Sequence, residues 1–199
     1  GRTIKLFYEN DGKYELLGEA KLSKSASAEG NGGRPNVTEF GNKTYAVWHD
    51  DGGPVRSIYY SVGEDVDGIV RWSTPEMIVS ESYDSANPSI AVDSGGMVYV
   101  AFESQKSDST DISMIVKNSF GWSKPFLVDS GLYHAVGPKM VIDSNNNLHL
   151  VWEDHRDIIG SIMYLNRSYE TGKWSDVSRI TPITTNAKRP SIDIDPEDV

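Results

Sequence analysis

Residues 87–103 read Asn87-Pro88-Ser89-Ile90-Ala91-Val92-Asp93-Ser94-Gly95-Gly96-Met97-Val98-Tyr99-Val100-Ala101-Phe102-Glu103. Two runs of β-branched and aromatic residues flank a Gly-Gly turn, the signature of a β-hairpin whose turn needs φ > 0. Downstream the pattern returns as Pro138-Lys139-Met140-Val141-Ile142-Asp143, a turn at Ser144-Asn145-Asn146-Asn147, and Leu148-His149-Leu150-Val151-Trp152-Glu153. Upstream, Pro35 leads to Glu39-Phe40, a turn at Gly41-Asn42, and Lys43-Thr44-Tyr45-Ala46-Val47-Trp48-His49-Asp50. The marker prolines Pro35, Pro88, Pro138 and Pro190 lie 53, 50 and 52 residues apart. A period of this size marks a supersecondary unit repeated in an array.

Each unit continues with a third strand, Ser57-Ile58-Tyr59-Tyr60-Ser61, Ile112-Ser113-Met114-Ile115-Val116 or Ser161-Ile162-Met163-Tyr164-Leu165. A fourth follows a Gly/Trp turn: Trp72 to Val79, Trp122 to Val128, and Trp174 to Ile180. No window sustains an apolar period of 3.6, which predicts almost no helix. The expectation is an all-β chain, a β-propeller of four-stranded antiparallel blades. The complete blades fall at 34–86, 87–136 and 137–188. Residues 1–33, with Ile4–Tyr8, Asp11–Tyr14 and Leu16–Leu22, resemble the third and fourth strands of a partial blade. Residues 189–199 resemble the first strand of a further one. Such a set is completed by more chain or by a second copy of this one, and a four-bladed ring with one short blade is the plainer alternative.

Composition narrows the partners. The chain has 199 residues, with 19 basic against 29 acidic side chains and a net charge of −10. With no Lys/Arg cluster it lacks the basic patch that phosphate backbones require, so nucleic acid is not expected. No apolar run is long enough to span a membrane. Cysteine is absent, which excludes disulfides and thiolate metal sites. His49, His134, His149 and His155 are scattered without zinc-site spacing, and neither Gly-x-Ser-x-Gly nor a phosphate loop occurs. Three Asn-x-Ser/Thr sequons, at Asn36, Asn42 and Asn166, are close to the number chance supplies and decide nothing. The acidic composition, rich in Ser, Asn, Asp and Gly, predicts an extracellular or cell-surface domain.

The turn into the fourth strand recurs as Gly68-Ile69-Val70-Arg71-Trp72-Ser73-Thr74-Pro75, Gly121-Trp122-Ser123-Lys124-Pro125 and Gly172-Lys173-Trp174-Ser175-Asp176. Locally, Gly turns the chain, Trp covers the gap between neighbouring sheets, and Pro suits an edge that needs no ladder donor. Ser168-Tyr169-Glu170-Thr171-Gly172-Lys173-Trp174 resembles the Asp-box (BNR) turn of sialidases, one residue short and with Glu for Asp. Glu64-Asp65-Val66-Asp67-Gly68 with Trp72 is similar with an insertion. Val151-Trp152-Glu153-Asp154-His155-Arg156-Asp157 resembles the repeat of microbial sialidase-like propellers. This resemblance covers the chain as repeats and implies a sialidase-like propeller. It says little about chemistry, because one fold hosts many functions.

A propeller exposes on one face the loops entering each first strand and those joining second to third strands. The Asp-box-like turns then belong to the opposite face, which favours a structural role for them. The loop face gathers the candidate ligand-binding residues Asp50, Glu103, Glu153, Asp154 and Arg156, with Arg34 and Arg189 entering from neighbouring loops. The carboxylates suit sugar hydroxyls or a hard cation such as Ca²⁺; otherwise they cap hairpin ends or pair with arginines. Sialidases are similar to one another in clamping a carboxylate with three arginines beside a Tyr–Glu nucleophile pair and an acid Asp. Arg34-Pro35 and Arg189-Pro190 resemble the Arg-Ile-Pro motif but lack its middle residue, and the full set is not present in this chain. The resulting expectation is a non-catalytic module that recognises a glycan or protein. A fragment of a glycoside hydrolase and a purely structural array are the alternatives.

Overall fold

The computed structural model describes residues 3–10, 13–21, 33–67, 69–129, 134–157 and 159–195. Leu22, Asn31 and Gly68, parts of the expected first blade and the first turn motif, lie outside the described residues, as do 196–199 at the end of the expected last strand. Among the described residues the structure is all-β, with strands throughout and no helix.

Three antiparallel sheets follow the three repeats. The first runs β3 (Gly33–Phe40), β4 (Lys43–Asp50) and β5 (Ser57–Val66), with β6 (Ile69–Trp72) and β7 (Glu76–Val79) both pairing with β5. The second runs β8 (Asp84–Val92), β9 (Val98–Gln105) and β10 (Thr110–Asn118), with β11 (Gly121–Trp122) and β12 (Phe126–Asp129) both on β10. The third runs β13 (Ala135–Ile142), β14 (Leu148–Asp154), β15 (Ser161–Arg167) and β16 (Ser178–Arg179), with a bridge from Arg167 to Trp174. At the N-terminus, β1 (Thr3–Asn10) and β2 (Lys13–Lys21) form a hairpin that touches β6 in parallel through Gly18 and Val70. Residues 191–195, expected as a first strand, carry no ladder pairing among the described residues. The Ile194 N–H instead donates to the adjacent Asp193 carboxylate at 2.9 Å.

The fourth strand is broken in two because Ser and Pro replace its middle. The Ser73 N–H donates to the Val62 carbonyl at 2.7 Å, while its hydroxyl accepts the Val62 N–H at 3.1 Å. Ser123 repeats both bonds with Val116, and Ser175 with Asn166. A serine thus substitutes for a ladder residue at the kink, and the proline after it in the first two repeats needs no partner for a missing N–H.

Among the described residues the core consists of two seams between sheets and a smaller cluster in which Tyr59 and Trp72 pack on Ala46 and Trp48. Tyr45, Val47, Ile58 and Tyr60 of the first sheet meet Ile90, Val98, Val100 and Phe102 of the second. Tyr99, Ala101, Ile112 and Met114 of the second meet Leu148, Leu150, Trp152 and Met163 of the third. β9 is therefore buried on both faces and reads as an unbroken apolar run, Val98 to Phe102. The equivalent Trp48, Phe102 and Trp152 are fully buried. Of the three turn tryptophans, Trp174 departs from expectation, while Trp72 and Trp122 pack on buried clusters. Trp122 crosses the first seam edge-on to Tyr60, with ring centroids 5.0 Å apart, but Trp174 is 37 % exposed. It lies beside a surface groove shared with Phe126 and Leu127 instead of filling the gap.

Candidate functional site

The residue before each marker proline adopts a left-handed backbone, with φ of 46° at Arg34, 49° at Asn87, 65° at Gly137 and 54° at Arg189. Such a conformation costs a non-glycine residue ~1–2 kcal/mol, and a following proline disfavours helical geometry further. The first three of these turns form a bulge in the innermost strand, where the register with the second strand shifts. What holds them is the preceding repeat. Asn87 N–H donates to His49 Nδ1 at 3.2 Å, Gly137 N–H to Glu103 Oε1 at 2.7 Å, and Arg189 N–H to Glu153 Oε2 at 2.9 Å. One residue past Pro35 and Pro88 a second clasp follows: Asn36 Oδ1 accepts the Ile90 N–H at 2.9 Å, and Ser89 Oγ accepts the Met140 N–H at 3.0 Å.

These bonds sort the candidate residues into two structural positions. His49, Glu103 and Glu153 are equivalent, and each receives a turn N–H from the next repeat. The sequence pattern pairs Asp50 with Glu103, whereas the counterpart of Glu103 in the first repeat is His49. The signal was its place directly after the buried aromatic, Trp48, Phe102 or Trp152. Glu153 also takes His155 Nε2 at 2.7 Å.

Asp50 and Asp154 occupy the next position along the strand, both buried at 6 % and 1 % exposure. Asp154 accepts the Arg156 N–H and Nε at 2.8 Å each and its Nη2 at 2.9 Å. Burial alone would raise the Asp154 carboxyl, but the bonds from Arg156 outweigh it and hold it below its ordinary value. Those bonds in turn hold the Arg156 guanidinium above its own. Arg156 reaches Asp129 of the second sheet as well. The expected solvated pair is thus a buried Asp154 clasped by a half-buried Arg156.

Arg34 and Arg189 come together. With Pro35, Asn36, Asn87, Pro88, Gly137, Pro138, Lys139 and Pro190 they line one cavity of about 300 Å³, into which all four proline turns converge. None of the ion pairs among the described residues involves Arg34, Lys139 or Arg189. A cavity lined by three cations and amide groups suits an anionic or hydroxyl-rich ligand. Among the described residues no three His, Cys, Asp or Glu side chains gather to hold a metal ion.

No family model matches the chain, and no curated protein does. Solved structures do. A Hadza microbial sialidase superposes with a TM-score of 0.57 at 11 % identity, over 71 % of this chain and 36 % of its own. The endo-arabinase of Bacteroides thetaiotaomicron superposes at 0.59 and 14 %, over 89 % and 72 %. A family 117 glycoside hydrolase of Zobellia galactanivorans superposes at 0.56 and 10 %, over 92 % and 61 %. The chain thus spans about a third of the sialidase's length, and at these identities the likeness concerns the fold. The three sheets are blades, and the chain has the fold of a sialidase-like β-propeller.

Proposed function

We propose that the chain is the recognition part of a glycan-directed propeller, working outside the cell or at its surface, with the axial cavity as its binding site. The observation that carries this reading is the convergence of Arg34, Lys139 and Arg189 on that cavity in a chain of net charge −10. A local positive field on an acidic surface selects for an anionic group, and a guanidinium pair suits a carboxylate or sulfate on a sugar. The superposition with a sialidase, an endo-arabinase and a family 117 glycoside hydrolase supports a glycan as the class of ligand. A role in binding rather than hydrolysis is favoured by the state of Glu103 and Glu153. Each already accepts a backbone N–H, which leaves them poorly placed to exchange protons with a substrate.

The test is a glycan array followed by calorimetric titration, with uronate-bearing and sulfated oligosaccharides against their neutral analogues. Arg189→Ala is expected to weaken acidic glycan binding about tenfold or more while leaving the fold intact, as loss of a charge-assisted bond does. Binding of neutral and acidic sugars alike, unaffected by that substitution, would overturn the reading.

A further inference from the structure

Blades one and three open the loop after the second strand with the same aspartate turn and then differ in sequence. In both, an aspartate at the end of the second strand accepts the N–H two residues on, Asp50 from Gly52 at 2.8 Å and Asp154 from Arg156 at 2.8 Å. In blade three the residue giving that N–H is an arginine, whose guanidinium meets both oxygens of Asp154 and extends to a second carboxylate, Asp129. In blade one the same residue is Gly52. Asp50 Oδ2, the counterpart of the oxygen that Arg156 Nη2 reaches, is buried and has no hydrogen-bond partner.

Asp50 also forms part of the wall of a groove of about 400 Å³. The other walls are Pro54, Val55, Tyr59 and Met77, with Glu81 among the lining residues. The loop beneath is anchored, since the Arg56 N–H donates to Asp84 Oδ1 at 2.7 Å and Arg56 Nη2 to Asp84 Oδ2 at 3.1 Å. A buried carboxylate oxygen without a donor is costly, and the unfilled groove beside it, mostly apolar with Glu81 at its wall, is the place for one.

We infer that this groove is a docking site for the arginine side chain of a polypeptide partner, which supplies from outside the guanidinium that blade three supplies from within. The ligand chemistry follows from the groove. Asp50 takes the planar fork, as Asp154 takes that of Arg156. Glu81 stands in for Asp129 as the second carboxylate, and the Tyr59 ring and Met77 pack the guanidinium plane and the alkyl stem. Lysine lacks the fork, and citrulline lacks the charge. This site is distinct from the axial cavity, which selects anions, so failure of one leaves the other standing.

The probe is N-acetyl-arginine amide, titrated into the millimolar range by NMR against the lysine and citrulline analogues. The expected result is shifts at the amides of 52–59, with the arginine derivative binding at least about tenfold tighter than either analogue, and Asp50→Asn removing the difference. Gly52→Arg is the second variant. Gly52 is not among the glycines with positive φ, so its backbone admits a side chain. It should fill the groove as Arg156 does, abolish binding of the probe, and raise the melting temperature. Equal binding of the three probes, binding unchanged in Asp50→Asn, or a Gly52→Arg protein that still binds the probe would each overturn the inference.

Discussion

The two seams of the molecule are built alike but locked differently. Between blades one and two, the neutral ring of His49 accepts the Asn87 N–H; between blades two and three, a carboxylate of Glu103 accepts that of Gly137. A carboxylate accepts over the whole physiological range. An imidazole accepts only while Nδ1 is unprotonated. Burial, and then the Arg56 and Arg34 guanidiniums, push His49 below its ordinary value, against the opposing pull of Asp51 and Asp50. Asp84, tied to Arg56, faces the same ring. One backbone clasp is thus made permanent or proton-sensitive by a change of a single acceptor.

The largest effect should come from what the seams share. Phe102 fills the first seam and Trp152 the second, both fully buried. Phe102→Ala and Trp152→Ala should each cost ~3–5 kcal/mol in urea unfolding, as deletion of large core aromatics does. A loss below about 1 kcal/mol at either would mean that its seam repacks and is not the core described here.

A smaller effect separates the seams. The folded-state value of His49 lies below 6.5, so the unfolded chain takes the proton first. Its contribution is complete above about pH 6.5 and is lost as the pH falls below it. Melting curves from pH 7 to 5 should show a declining midpoint, and His49→Asn, whose amide oxygen accepts without titrating, should flatten that decline. Glu103→Gln should leave it unchanged, because the second seam does not depend on His49. An equal decline in His49→Asn would place the sensitivity elsewhere.

The smallest effect lies at the rim. Ser123→Ala removes the hydroxyl that accepts the Val116 N–H at an exposed edge, and about 1 kcal/mol or less is expected. A loss as large as that of Phe102→Ala would make the kink part of the core.

Sequence reading resolves the repeats, the three sheets and the loops that carry the candidates, because period-two apolar runs and proline spacing are local signals. It does not resolve which side chain meets which. The partner of Gly137 is Glu103, 34 residues away, and the partner of Arg189 is Glu153, 36 residues away. No local pattern announces an acceptor for a backbone N–H in the next repeat. The left-handed turns are equally silent at Arg34 and Arg189, whereas Gly137 and, more weakly, Asn87 admit a positive φ. The convergence of Arg34, Lys139 and Arg189 needs the curvature of the array, which spacing alone does not supply.

The kinked fourth strand has a further consequence, for how the protein behaves in a crowded solution. An outermost strand offers a row of free donors and acceptors to any passing chain, and long flat edges of this kind seed fibrils. Here the straight outer pieces beyond the kink, β7 and β12, are four residues each. Pro75 and Pro125 stand immediately before them, and a serine turns the preceding polar groups inward. Another strand could dock on such an edge for only a few residues before losing its register. The Trp-Ser-x-Pro turn of the first two repeats therefore doubles as protection against edge-to-edge aggregation.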